Sequence, residues 1–144
     1  MRPLLLDTNA YSEFKRGDAE ATRVLDHATE IAISVVVLGE LLGGFEAGTR
    51  ANANRQELNE FLDTQAVRVL ALDSDTAEIY ARIHRDLRRA GTPIPQNDMW
   101  IAATAQQHDL ALFTFDRHFH NVRRLIVGQC LADFDDPAAG ESGS

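Results

Sequence analysis

Cysteine is almost missing from this 144-residue chain, in which Cys130 stands alone. A single cysteine excludes an internal disulfide and leaves no cysteine-rich zinc site to build, which suits a reducing, cytoplasmic setting. Lysine is equally scarce: Lys15 is the only one among 14 basic residues, and the rest are arginine. Long apolar runs are missing too. The run Leu4-Leu5-Leu6 is too short for a signal-peptide core, and the stretch around Val35 to Leu38 is too short to cross a bilayer. We therefore expect a soluble, unprocessed protein with no membrane association. Nor is there an excess of positive charge, since 22 acidic residues against 14 basic ones give −8. Nucleic-acid phosphates normally want a basic footprint, so this balance speaks against such a partner. The objection weakens where acids gather on a metal ion, because each divalent cation cancels part of the charge where a phosphate must sit.

What is present is a globular chain, 44% apolar and of single-domain length. No internal repeat or linker divides it. Residues 1–136 read as one domain, and 137–144, small, polar and rich in Gly and Ser, as a flexible tail. Short apolar runs alternate with helical periodicity. Strands are expected at 4–6, 31–34, 67–70 and 110–114, with a fifth at 125–127. Helices are expected over 10–16, stopped by Gly17, from a cap at Asp18 to about 27, after Ser34 through Glu40 and Phe45, and over 50–62. The clearest helix covers 73–89, with Ala77, Tyr80, Ala81, His84 and Leu87 on its inward face and Gly91 ending it. Another runs from 97 to 108. Strands alternating with helices predict a three-layer α/β/α sandwich around a central parallel sheet.

Asp7 and Asp116 fall at or just past the ends of expected strands. Glu40 lies in the first turns of a helix that follows a strand, and Asp98 opens a helix. In parallel sheets, sites form at the carboxyl ends of the strands, so four acids from distant segments would share one edge. Taken singly, Asp7 and Asp116 read as helix caps, and Glu40 as a solvated residue. Taken together, they repel unless a cation sits among them, and oxygen ligands without cysteine suggest Mg²⁺, with Mn²⁺ as the alternative. Asn9 and Thr114 offer neutral polar groups to orient the acids or a water.

Three segments, LLLDTNAYSE, SVVVLGELLGG and NDMWIAATAQQHDLALFTFDRHF, carry a family likeness. Over about residues 3–127 the chain resembles the PIN-domain ribonucleases, and in particular the VapC-type toxins of bacterial toxin–antitoxin pairs. The resemblance implies a PIN-like α/β/α fold and Mg²⁺- or Mn²⁺-dependent cleavage of RNA, often tRNA or ribosomal RNA. It places the family's acids on Asp7, Glu40, Asp98 and Asp116, as both catalytic and metal-binding residues, and its threonine on Thr114. It also implies hydrolysis leaving a 5′-phosphate, a homodimer, and a small VapB-like antitoxin as partner.

Arg82, Arg85, Arg88 and Arg89 give the long helix a basic face, and Arg82, Arg85 and Arg89 are candidates for holding RNA phosphates. The competing reading is a solvated helix face. His118 and His120 flank Phe119, but without cysteines nearby a zinc site is disfavoured. Trp100 and Phe115 read as core or pocket wall. Phe14, Leu41, Leu42 and Phe45 either fill the core or line a groove for an antitoxin helix. A haloacid-dehalogenase-type phosphotransferase needs a second aspartate where Asn9 stands, and both it and a phospho-receiver module need a strand-end lysine that this chain lacks. A non-catalytic metal- and RNA-binding regulatory module is the alternative left standing.

Overall fold

The computed structural model describes residues 1–135, so the tail expected over 137–144 lies outside the described residues. Its centre is β1 (Leu4–Leu6), whose three leucines are all fully buried. Successive strand residues point to opposite faces, so a strand with no exposed residue has both faces covered. β1 pairs in parallel with β2 (Ile31–Ser34) on one side and with β4 (Ala111–Phe113) on the other. β3 (Val67–Leu70) extends the sheet beyond β2, and β5 (Val127–Gly128) extends it beyond β4. The order is β3-β2-β1-β4-β5, all parallel, flanked among the described residues by six helices in the expected three-layer arrangement. They are α1 (Thr8–Lys15), α2 (Ala19–His27), α3 (Val35–Ala47), α4 (Ala51–Leu62), α5 (Ser74–Ala90) and α6 (Gln96–Gln107).

This order contains a reversal. The chain steps outward from β1 through β2 to β3, then returns to the other side of β1 for β4 and β5. Where the direction reverses, the loops after β1 and β4 diverge and leave a crevice at their carboxyl ends. Asp7 follows β1 directly, and Thr114 to Asp116 follow β4.

Helix α5 forms where expected but turns a different face inward. Its start is fixed by a capping box: Thr76 N donates to Asp73 Oδ1 (3.1 Å) and Asp73 N donates to Thr76 Oγ1 (3.0 Å). Gly91, at φ +72°, ends it in the left-handed conformation. The buried residues are Thr76, Ile83 and Leu87, of which Leu87 lies inward as expected, with Ile79 half-buried. Ala77, Ala81 and His84, expected inside, are exposed, and Tyr80 is half-buried against Trp100 with ring centroids 4.0 Å apart. The two stripes lie one residue, or about 100°, apart on the helix. Ile79, Ile83 and Leu87 at i, i+4 and i+8 remove more apolar surface from water than alanines and a histidine do, so theirs is the face that docks.

The last strand is shifted from the expected 125–127 to Val127–Gly128. Arg124 sits at φ +63°, interrupting the extended backbone, and ladder bonds form only beyond it: Leu112 N donates to Ile126 O (2.8 Å) and Thr114 N to Gly128 O (3.1 Å). Helix α1 begins two residues earlier than expected because Asp7 itself caps it.

Gly128 is held by close packing. A Cβ there would stand 2.5 Å from Asp133 Cβ and 2.7 Å from Phe134 Cζ. The 3₁₀ turn Leu131–Phe134 lies over this strand end and seats the fully buried Phe134 edge-on to Phe113, with centroids 5.7 Å apart. We expect Gly128→Ala to cost about 1–3 kcal/mol through overpacking. Thermal unfolding should show a melting point lowered by several degrees, and an unchanged one would mean that the turn yields freely.

Candidate active site

Asp7 is 3% exposed, an unusual place for a carboxylate. Its Oδ1 accepts from Thr8 N (2.9 Å), the first amide of α1, rather than the second or third amide a capping side chain usually takes. Its Oδ2 accepts from Thr114 Oγ1 (2.7 Å). Burial raises its pKa to about 6; the Thr114 hydroxyl and the Thr8 amide pull it down, while Asp98 and Glu40 push it up.

The other acids are not tied up in caps. Asp116 precedes the 3₁₀ turn Arg117–Asn121, yet its carboxylate makes no cap bond there. Its position is fixed through the backbone, where Asp116 N donates to Thr114 Oγ1 (3.0 Å). Asp98 lies in the first turn of α6, a place the helix dipole favours for an anion. Its pKa is nonetheless raised, chiefly by burial; His118 pulls it down, and Glu40 and Asp116 push it up. Glu40, in the second turn of α3, accepts on Oε1 from Thr8 Oγ1 (2.9 Å). All four acids line one open cleft of about 640 Å³ at the carboxyl edge of the sheet.

Asn9 and Thr114 tie the two sides of the crevice together. Asn9 Oδ1 accepts from Phe115 N (3.0 Å), so the residue after β1's aspartate loop holds the backbone leaving β4. Thr114 is buried, and its hydroxyl meets Asp7, the Asp116 amide and, at 3.4 Å, the Asn9 amide group. Both residues therefore touch the acids or their supports.

Several lining residues escape a reading of the sequence alone. Thr8, Ser12 and Arg16 follow one another at four-residue spacing along α1 and its end, and all face the cleft. A helix start at Ala10 hides that stripe in the sequence. His118 is the larger omission: its Nε2 lies 2.6 Å from Asp98 Oδ2 and its Nδ1 3.8 Å from Asp116 Oδ1. His120 does not join it; it is exposed and faces Asp133 instead.

The expected phosphate-binding arginines are separated. Arg82 and Arg85 line a second cleft with Arg123, Arg124 and Asn121, whereas Arg89 is not among its lining residues. Phe115 is half-buried against Phe113, and Trp100 half-buried against Tyr80, in keeping with wall positions. Leu41 is core, and Phe14, Leu42 and Phe45 are half-buried against it. No helix among the described residues is long and apolar enough to cross a membrane.

Four carboxylates and two hydroxyls around one cleft, with the His118 imidazole close to two of those carboxylates, form a donor set suited to a divalent cation. Residues 4–125 match the model of the PIN domain family. The chain is 31% identical over 119 residues to ribonuclease VapC4 of Mycobacterium tuberculosis, spanning 83% of this chain and 90% of that one. The solved structure of VapBC-5 from Mycobacterium tuberculosis, a member of the VapBC family of toxin–antitoxin systems, superposes with a TM-score of 0.70 at 27% identity, over 89% of this chain and 97% of that one. VapBC2 from Rickettsia felis, solved bound to a DNA fragment of its promoter, shares the fold with a TM-score of 0.78 at 24% identity, over 87% and 96% of the two chains. The chain belongs to the PIN-domain family and, within it, to the VapC-type ribonuclease toxins.

Proposed function

We propose that the chain is a toxin that cuts RNA hydrolytically with the help of Mg²⁺ or Mn²⁺, and that Asp7, Glu40, Asp98 and Asp116 are its metal-binding and catalytic residues. The observation that carries this reading is the convergence of the four acids on one cleft at the switch point of the sheet. A divalent ion bound there supplies charge to neutralise a phosphate and acidifies an attacking water. The chain's own part is positional. The Thr8 amide and the Thr114 hydroxyl orient Asp7, the Thr8 hydroxyl orients Glu40, and Asn9 fixes the two loops against each other. Arg16, the basic residue lining the cleft, stands where a second phosphate of the substrate would pass.

The ribonuclease relatives support RNA as the substrate class, and we take tRNA or ribosomal RNA as the targets. A small VapB-like antitoxin is the partner in the cytoplasm, and half-buried Phe14, Leu42 and Phe45 offer apolar surface for its helix. A homodimer would cover the exposed Ala77 and Ala81 on α5, beside half-buried Tyr80 and Trp100. Incubating the pure protein with total RNA tests the central reading. Cleavage that requires Mg²⁺ or Mn²⁺ and stops with EDTA supports it. Intact RNA bound in the presence of metal would instead support a non-catalytic metal- and RNA-binding module.

The arginine cleft bears on how RNA is held. On a chain of net charge −8, Arg82, Arg85, Arg123 and Arg124 gather four cations around one concavity, with Arg85 also reaching Asp86 (3.2 Å). One 3₁₀ turn, Arg117–Asn121, links the two clefts, contributing His118 to the acids and Asn121 to the arginines. Three residues of such a turn rise about 6 Å, so a strand leaving the acids reaches the arginines without a detour. Replacing Arg85 and Arg124 together by Gln should weaken RNA binding about equally for all sequences. It should also lower the slope of log K against log salt by about 1.4 for single-stranded RNA. An unchanged slope would remove these arginines from the path.

A further inference from the structure

His118 presents a carboxylate to each of its ring nitrogens, Asp98 at 2.6 Å from Nε2 and Asp116 at 3.8 Å from Nδ1. Asp98 comes from the start of α6, whereas Asp116 and His118 come from the turn after β4, so two separate elements close on one point. The turn is anchored by fully buried Phe119, against which the His118 ring lies tilted at 4.8 Å. The imidazole is thus held against the core side of the turn, with 29% of its side chain exposed.

The spacing also admits an ion in place of the hydrogen-bonded proton. One ligand atom from each of Asp98, Asp116 and His118 lies within 4.8 Å of the other two. Ligands about 2.1 Å from a divalent ion on neighbouring octahedral axes stand about 3 Å apart. The two carboxylate contacts run to different ring nitrogens, and an ion takes only one of them, so on binding the imidazole would exchange one carboxylate contact for the ion and share it with Asp98 and Asp116 inside that 4.8 Å span.

We propose that His118 is a nitrogen ligand of the bound ion, alongside Asp98 and Asp116, and that it turns the site's preference from Mg²⁺ toward Mn²⁺. This rests on the metal-dependent function proposed for the four acids and refines it. Mg²⁺ demands near-ideal oxygen octahedra and keeps its waters, while imidazole binds the later first-row ions more strongly, Mn²⁺ being the first step of that series. A histidine that merely oriented Asp98 from outside the shell would strengthen binding of both ions alike. The ratio of the two affinities therefore separates a ligand from an orienting neighbour.

The test is pulsed electron paramagnetic resonance of Mn²⁺ bound to the purified full chain, together with calorimetric titration of Mn²⁺ and Mg²⁺. The expected result is modulation from a directly coordinated nitrogen in the wild-type spectrum, lost in His118→Gln. Mn²⁺ affinity should fall about tenfold or more in that variant, with Mg²⁺ affinity changing far less. Mn²⁺ bound without nitrogen coupling, or both affinities falling together, overturns the assignment of His118 and leaves the four-acid site intact. A wild-type chain that binds neither ion overturns both. The wild-type spectrum distinguishes these outcomes even where the variant misfolds.

Discussion

Asp7→Asn is expected to abolish RNA cleavage and, in the absence of metal, to make the protein more stable. The two effects have one cause. Asp7 is buried beside Asp98 and Glu40, and its carboxylate pays for that position with a pKa near 6 instead of 3.8. At neutral pH a shift of about two units corresponds to roughly 3 kcal/mol of folding free energy withheld by the ionised group. Asparagine is close to isosteric and removes the charge. Its carbonyl can still accept from Thr8 N, and its amide can donate to Thr114 Oγ1 once that hydroxyl turns toward Asn9. We expect a gain of about 1–3 kcal/mol in EDTA, seen as a melting point raised by several degrees. Metal should then separate the two proteins in the opposite sense. An ion at a hundred times its dissociation constant stabilises the wild type by about 2.7 kcal/mol and leaves the variant where it was. Cleavage should drop by more than about a hundredfold, because losing even an outer-shell partner of a metal ligand typically costs 10- to 100-fold. A variant that cuts RNA at the wild-type rate, or that melts lower than wild type in EDTA, would show that Asp7 is a structural cap.

The parts of this molecule that could be read from the sequence are those fixed by short-range patterns. Leu4-Leu5-Leu6 reads as a buried strand, and Gly91 announces the end of the long helix. Asp7 and Asp116 could be placed at strand ends, and Glu40 and Asp98 in early helix turns beside them, because sites in a parallel sheet form at its carboxyl edge. What escaped depends on choices between near-equal alternatives. On α5, the stripe of Ala77, Tyr80, Ala81 and His84 has the same period as that of Ile79, Ile83 and Leu87, and only the competition for buried area decides between them. His118 is two residues from Asp116 and two from His120, a spacing in which a zinc site is disfavoured for want of cysteines. Whether its ring turns toward Asp98 depends on how the 3₁₀ turn is pinned by Phe119, a tertiary contact no local pattern encodes. The cleft formed with Arg123 and Arg124 likewise joins residues nearly forty positions apart in sequence to α5, through an unusual backbone conformation at Arg124.

Acidification should weaken metal binding and cleavage while relieving the metal-free protein. Above about pH 6 Asp7 is ionised and available to a cation; below it, a proton competes for the same oxygens. Each pH unit below 6 should lower metal affinity about tenfold from Asp7 alone, and more steeply where Asp98, also raised, takes up its proton. The stability term has the other sign. Because the folded pKa of Asp7 lies above its ordinary value of 3.8, the native state binds more protons than the unfolded chain between about pH 4 and pH 6. The stabilising contribution is therefore fully present below about pH 4 and is lost as the pH rises through 6. Other carboxylates mask this in a simple melt: Asp73 and Asp133 have lowered pKa values, held down mainly by backbone amides, and pull stability the opposite way. The difference between Asp7→Asn and wild type, both in EDTA, cancels those contributions. That difference should grow as the pH rises from about 4 to about 7 and then level off. In saturating Mg²⁺ or Mn²⁺ it should shrink or reverse over the same range, since the ion binds only where the proton has left. A difference that is flat with pH in EDTA would mean that Asp7 titrates normally, and that the cleft does not hold a strained carboxylate awaiting a cation.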